Sequence, residues 1–335
     1  MINFRAFLKA TLKTMALFLS MLMIFALVAC NKKVAQKDKP YTIGFVMIEP
    51  TGNSYNQLQV IKKECAARGW DLMYDSADAN AEKTLTLANN FISRGCDALY
   101  VYTVVLGTQK TIKQICDEKG VHVVFTGLME TDVVTIADDE AAQGQAGAKV
   151  LTEAAAKKWG SQKADLIIAT EATEVGDGNR IRMHENYIPA LCATQNYNQA
   201  DVVWLDIGLD LLKATSQSAN TLSAHPNAKR ILVAAFHDSA CGQGPMNALK
   251  AAGRDGDALI LSYHISDGVT ANAIKNESCW YGSFYFPPES YVGPLFECFD
   301  KWYRGETVAP GLQTCQYLLV TADNINDMKF EFDWK

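Results

Sequence analysis

The sequence predicts an α/β protein built as two similar, doubly wound parallel-sheet lobes. Three observations carry that prediction. From residue 41 onward, strand-like and helix-like segments alternate strictly. The strand-like runs are apolar almost without interruption, as in parallel strands covered on both faces, and several helices stop at a glycine. After residue 138 the alternation starts again on a similar scale, and the length of 335 residues is enough for two separate cores.

The elements follow in order. In Tyr41–Ile48, residues Ile43, Phe45, Val46, Met47 and Ile48 form a nearly continuous apolar strand. Pro50, Gly52, Asn53 and Ser54 break it and open a helix over Ser54–Arg68, closed by Gly69. Strand Trp70–Tyr74, helix Ala81–Arg94 with Gly95, strand Asp97–Thr103, helix Thr108–Lys119 with Gly120, and strand Val121–Phe125 complete the first series. A short strand, Val133–Ile136, leads to Asp138, Asp139 and Glu140, acids suited to a helix N-terminus, and the helix is Ala141–Lys158. The second series has strands Asp165–Ala169, Val202–Asp206, Arg230–Ala235 and Ala258–Tyr263. Its helices lie near Asn179–Asn196, Leu211–Ala224, Ala240–Ala252 and Asp267–Asn276. Strand Trp280–Phe286, helix Pro288–Arg304 and a single last strand, Thr314–Val320, end the pattern before an irregular tail.

The strand at 133–136 marks a first crossing between lobes, and the breaks at Pro287-Pro288 and after Gln316 mark two returns. Three crossings form a hinge with a cleft beside it. The expected division is 41–137 with 288–316 as the N-terminal lobe, and 138–287 with 317–335 as the C-terminal lobe and tail.

The front of the chain is a targeting segment, residues 1–29. Arg5, Lys9 and Lys13 precede the apolar run Met15–Val28, which is shorter than the roughly 20 residues of a spanning helix. Leu27-Val28-Ala29-Cys30 resembles a bacterial lipobox, which implies cleavage before Cys30 and lipidation of its thiol. Residues 30–40 then read as a polar tether, placing the protein in the cell envelope on a lipid anchor. Losing three signal-segment cations takes the net charge from −6 to −9, and an acidic chain without basic runs excludes nucleic acid as a partner. Eight cysteines remain beyond Cys30, with no zinc-knuckle or CxxC spacing. They allow either disulfides or buried free thiols.

Several stretches together carry a family likeness. They are Gly52-Asn53-Ser54-Tyr55 after the opening strand, Arg94-Gly95-Cys96-Asp97-Ala98, and Ile136-Ala137-Asp138-Asp139 at the first crossing. Further on come Leu222–Asn227, Phe236-His237-Asp238, Ala248–Gly253 and Gly305-Glu306-Thr307. In order and spacing the chain resembles the type 1 periplasmic binding proteins, the ribose- and galactose-binding group that shares its fold with LacI-type repressors. A repressor would open with a DNA-binding helix-turn-helix, whereas this chain opens with a lipoprotein signal. The resemblance implies a monomeric solute receptor, with no cofactor, that closes on a small molecule and delivers it to an ABC permease.

Ligands of open α/β sheets sit beyond the carboxyl ends of the strands, so candidate contacts are sought there. Asn53 and Tyr55 match the family's first loop, with Gly52 and Asn56 as competitors through a one-residue offset. Tyr102 ends the third strand. Arg180 and Arg182 open the helix where sugar binders place a ligand-gripping arginine. Trp204 nears the end of its strand, and His237 and Asp238 hold the family's Asn-Asp position. Tyr263 and His264 stand where an aromatic and an aspartate are usual, and Tyr285, followed by Phe286, ends the strand before a crossing. Aromatic faces stack on sugar rings or flat bases while polar tips set orientation. Gly127 and Leu128 replace the family's Asp-Arg pair, and histidines replace Asn and Asp. Those departures make a nucleoside or furanose-like signal an alternative to a plain sugar, feeding transport or a chemoreceptor. An enzyme is the rival of another class: motifs such as GxSxG, HExxH and the phosphate loop are missing, but His237, Asp238 and His264 could gather a metal.

Overall fold

The computed structural model describes residues 39–330, apart from 51, 104, 106, 128–131, 172–177 and 209, and leaves the side chains of 178–184 undescribed. The signal segment, Cys30 and most of the tether therefore lie outside the described residues.

The first lobe alternates β1 (Thr42–Met47), α1 (Gly52–Arg68), β2 (Asp71–Ser76), α2 (Ala81–Ser93), β3 (Ala98–Thr103), α3 (Thr108–Lys119), β4 (His122–Gly127) and β5 (Val134–Ala137). The second follows with α4 (Glu140–Trp159), β6 (Leu166–Glu171), α5 (Gly178–Gln195), β7 (Val203–Asp206), α6 (Leu211–Ala224), β8 (Ile231–Ala235), α7 (Ala240–Ala251), β9 (Ala258–Tyr263), α8 (Gly268–Asn276) and β10 (Trp280–Tyr285). The chain then returns as α9 (Pro288–Tyr303) and β11 (Gly311–Thr314), and crosses again to β12 (Leu318–Thr321).

Two six-stranded sheets result, in the orders β11-β5-β4-β3-β1-β2 and β12-β10-β9-β8-β6-β7. The strands between the two edges are buried on both sides, which is why they read as apolar runs rather than alternating ones. The two orders correspond strand for strand, and all three crossings leave from the β5–β11 and β10–β12 side. The opposite edges, β2 and β7, are open.

One prediction is corrected here. Thr314–Val320 is not a single strand. β11 pairs in parallel with β5, whereas β12 pairs antiparallel with β10 in the other sheet. Cys315 still donates its amide to Ala137 at the end of β5, and Tyr317 already packs on Phe284 and Phe286 of the second lobe. The alternating pattern continues through both pieces, so periodicity cannot reveal the change of sheet.

Three apolar clusters hold the layers. One packs α2 and α3 on the first sheet through Leu87, Phe91, Ile112 and Cys116. Another packs α6, α7 and α8 on the second through Ala214, Leu249 and Ile274. The third runs through both lobes: Leu58 and Ile61 of α1 and Phe296 and Phe299 of α9 join Leu151 of α4 and Leu191 of α5. α9 is also clamped to the first lobe by polar contacts, with Arg68 reaching Asp300 at 3.0 Å. The cysteines 65, 96, 116, 192, 241, 279, 298 and 315 are all buried and none is in a disulfide, and burial pushes the thiols of Cys96, Cys279 and Cys298 up to about 11. They serve as small apolar fillers.

Candidate ligand-binding cleft

The carboxyl ends of both sheets face each other, and one cavity is lined from both lobes. Asn53 and Asn56 of α1 meet His264, Ile265, Ser266, Tyr285, Phe286 and Pro288 around a small shared cavity. Residues three apart share a helix face, so Asn53 and Asn56 point the same way. Ser54, by contrast, turns inward and donates to the carbonyl of Glu49 at 2.6 Å, and Gln57 is buried, accepting from Tyr100 at 2.7 Å. The amide nitrogen of Asn53 is itself buried and without a hydrogen bond, a donor ready for an acceptor in the cleft.

The second lobe builds its wall from the turns after β8, β9 and β10. Asp238 is fully buried and accepts from the Ser266 amide at 2.6 Å and from Ser266 Oγ at 3.0 Å. Burial alone would push its carboxyl up. His237 beside it and the Ser266 amide prevail and hold it below the usual carboxylate range. His237 Nδ1 stands 3.0 Å from Asp238 Oδ1 and 2.9 Å from Ser239 Oγ. The ring of His264 lies 5.3 Å from that of His237 and 4.9 Å from Phe286.

His264 reaches this position through a left-handed backbone, φ +69°, which is uncommon for a non-glycine residue. The sheet enforces it: His264 donates its amide to the Phe284 carbonyl at 2.8 Å and accepts from the Ser283 hydroxyl. In the first lobe, Glu49 of the loop between β1 and α1 is an exposed residue, yet partial burial of its carboxyl pushes it up, and the charge of His237 partly offsets that rise. At the ends of β6 and β7, burial and the neighbouring Asp206 likewise push the Glu171 carboxyl up.

The sequence-derived candidates separate as follows. Asn53, His264 and Tyr285 line the shared cavity; His237 stands beside it, with Asp238 behind His237. Tyr55 is 46% exposed on α1 and does not line that cavity, whereas Asn56, its competitor, does. Tyr102 is half-buried at the end of β3, packed close to Gly127. Arg180 and Arg182 fall in the first turns of α5, and their side chains lie outside the described residues, as does Leu128.

Two candidates lie away from that cavity. Tyr263 belongs to the core: it is 2% exposed, and its hydroxyl donates to the Gln143 carbonyl of α4 at 2.9 Å. Side chains alternate along a strand, so when Tyr263 points into the helix layer, the next position turns to the cleft. Trp204 is half-exposed on the open edge strand β7, three strands beyond β9, or roughly 14 Å at about 4.8 Å per strand. The metal-site reading also falls away. Among the described residues no three His, Cys, Asp or Glu side chains gather closely enough to hold an ion, and Asp238 is committed to Ser266.

Sequence reasoning missed Ser266 and did not single out Glu49 within its loop. Ser266 was detectable only as a polar residue shortly after an apolar strand, a weak signal. The departure at Gly127 has a steric cause. Its φ is +97°, and a Cβ there would stand 2.4 Å from the Thr103 carbonyl oxygen, so this backbone has no room for an aspartate.

Two lobes, three crossings and a cleft lined from both sides define a type 1 periplasmic binding protein. Residues 43–291 match the profile of the periplasmic binding protein domain, and the chain belongs to that family, one of extracytoplasmic solute-binding proteins rather than enzymes. Solved structures share the fold at low identity. An ABC transporter periplasmic solute-binding protein from Actinobacillus succinogenes, solved with D-allose, aligns with a TM-score of 0.73 at 17% identity, over 87% of this chain and 100% of its own. The binding component of an arabinose ABC transporter from Shewanella, bound to L-arabinofuranose, aligns at 0.70 and 19%, over 85% and 93%. A solute-binding protein from Bacillus halodurans with myo-inositol aligns at 0.69 and 16%, over 87% and 98%. No curated protein matches the chain at a significant level.

Proposed function

We propose that the protein is a lipid-anchored receptor that captures a small sugar between its lobes and delivers it to an ABC permease. The observation that carries the reading is the cavity shared by Asn53, Asn56, His264 and Tyr285, which brings amide, imidazole and aromatic groups from both lobes onto one small solute. Such a site suits a polyhydroxylated ring: hydroxyls pair with the polar tips, and the apolar face of the ring lies on the aromatics. Closure follows because contacts from both lobes exist together only in the closed state. The moving bodies are 41–137 with 288–316, and 138–287 with 317–335. The structures with allose, arabinofuranose and inositol support a polyol or sugar as the solute class. A furanose ring is a specific second reading, favoured by the arabinofuranose complex and by Gly127 in place of a charged side chain.

Thermal melting against a panel of pyranoses, furanoses, inositols and nucleosides tests this. The cognate solute at 100 times its Kd should stabilise the fold by about 2.7 kcal/mol, seen as a rise in Tm of several degrees. A flat response to all sugars and polyols, or a rise with nucleosides alone, overturns the sugar reading. For the anchor, Cys30→Ser should move the protein from the detergent phase to the aqueous phase in partitioning; unchanged partitioning overturns lipidation at that residue.

A further inference from the structure

We propose that the pole of the first lobe farthest from the cleft docks on an anionic lipid bilayer, through aromatic side chains gathered there and the basic tether that leaves from the same point. The proposal rests on the reading of Cys30 as the anchored residue, and adds to it a face and an orientation.

The parallel sheet builds the pole. β1, β2, β3 and β4 all run the same way, so the residues just ahead of each meet at one end, opposite the end that carries Asn53 and Asn56. A broad open depression lies there, walled by Tyr41 before β1, Trp70 before β2, Asp97 before β3 and Val121 before β4. α9 closes its side with Trp302, Tyr303 and Arg304. The rings form a cluster: Tyr303 lies 5.4 Å from both Tyr41 and Trp70, and Trp302 stacks on His122 at 4.5 Å. Tyr41 and Trp70 are buried, whereas Tyr303 is 54% exposed. A ring held outward over a packed aromatic base is the kind of group that settles between lipid headgroups and acyl chains.

Charge decides which surface the pole meets. Arg68, Arg304 and Lys39 also line the depression, but each is answered: Arg68 by Glu64 and Asp300, Arg304 by Glu306, and Lys39 by Asp97 at 3.9 Å. Of the lining cations, that leaves Lys119, exposed at the end of α3, without an ion pair to a described residue. The larger excess comes with the tether. Residues 31–39 carry four lysines against one aspartate, and Lys39, the last of them, donates to the Gly95 carbonyl at 2.6 Å on the rim. The mature chain as a whole is acidic, so an anionic bilayer selects the end that carries this surplus.

Length sets the orientation. Nine residues lead from Cys30 to Lys39, a reach of at most about 30 Å. α1, 17 residues long, rises about 25 Å from Asn53 at the cleft to Arg68 at the pole. The pole is therefore the part of the first lobe nearest the anchor. Docking it turns the cleft ends of the strands away from the bilayer, toward arriving solute.

Vesicle flotation of the mature chain carrying Cys30→Ser reads docking without the lipid anchor. Binding should be at least about tenfold greater to vesicles with about 30% phosphatidylglycerol than to pure phosphatidylcholine, and should fall in about 0.5 M salt. Lys119→Glu should weaken anionic binding about fivefold or more, and Tyr303→Ser severalfold on both vesicles, while each melts like the parent, which shows that it folds. Leu212→Ser, at a residue 82% exposed on α6 of the second lobe, should change nothing. Equal binding to the two vesicles overturns the proposal. So does binding that Lys119→Glu and Tyr303→Ser leave intact, since the tether alone then accounts for it. A loss with Leu212→Ser overturns it as well, by putting the contact on another face. If Cys30→Ser leaves detergent partitioning unchanged, lipidation at that residue fails while the flotation result stands, so the two failures are distinct.

Discussion

Asp238 carries its charge although its side chain is fully buried, and the surrounding groups explain how. Ser266 supplies two donors and His237 a third neighbour, so the carboxylate is better held in the folded chain than in the unfolded one. Its folded-state pKa lies below the unfolded value of about 3.9, so its stabilisation is present above that value and lost as pH falls through the folded one. Asp238→Asn should cost about 2–4 kcal/mol in urea unfolding near neutral pH, and the gap should narrow in strong acid. An equal gap at both extremes would show that the charge is not what matters. At this scale the sequence was partly legible. It indicated His237, Asp238 and His264 as strand-end polar residues, but it could not tell that Tyr263 turns inward and His264 outward. Tyr263 is held inward by its bond to α4, and the left-handed backbone of His264, whose amide is held by the Phe284 carbonyl of another strand, sets where its ring goes.

Elements were more legible than contacts. Glycine stops and apolar runs located the helices and strands because those signals are local, as at Gly120, whose φ of +66° closes α3. Sheet order is not local, and it decides which strand ends meet a ligand. β9 and β10 carry His264 and Tyr285 to the cavity, whereas β7 carries Trp204 to an open edge, although all three end alike in sequence. The join between β11 and β12 was missed for a related reason: a strand that changes sheet keeps its alternation. Gly127 shows the converse. A departure from the family's charged pair is explained by the close approach of β3, where the Thr103 carbonyl occupies the space of a side chain.

At the scale of the molecule, the first lobe is assembled from two distant parts of the chain. α9 supplies Phe296 against Trp70, ring centroids 6.0 Å apart, and β11 completes the sheet beside β5. A chain ended after residue 287 would retain β1 to β5 but lose both, exposing the apolar faces of Leu58, Ile61 and Trp70. Each such side chain is worth about 1.5–3 kcal/mol when buried. The truncated chain should therefore show no cooperative unfolding transition for its first lobe in urea, followed by far-ultraviolet circular dichroism. A retained, steep transition would show that α9 and β11 are accessory.

The same discontinuity sets an order of events at birth. The ribosome and any export machinery deliver all of the second lobe except β12 and the tail before the pieces that finish the first, since 288–314 follow everything in 138–287. The first lobe must wait, incomplete, with β5 an unpaired edge, until residues 288–314 emerge. Completion of the first lobe is therefore the late docking of one helix and one short strand.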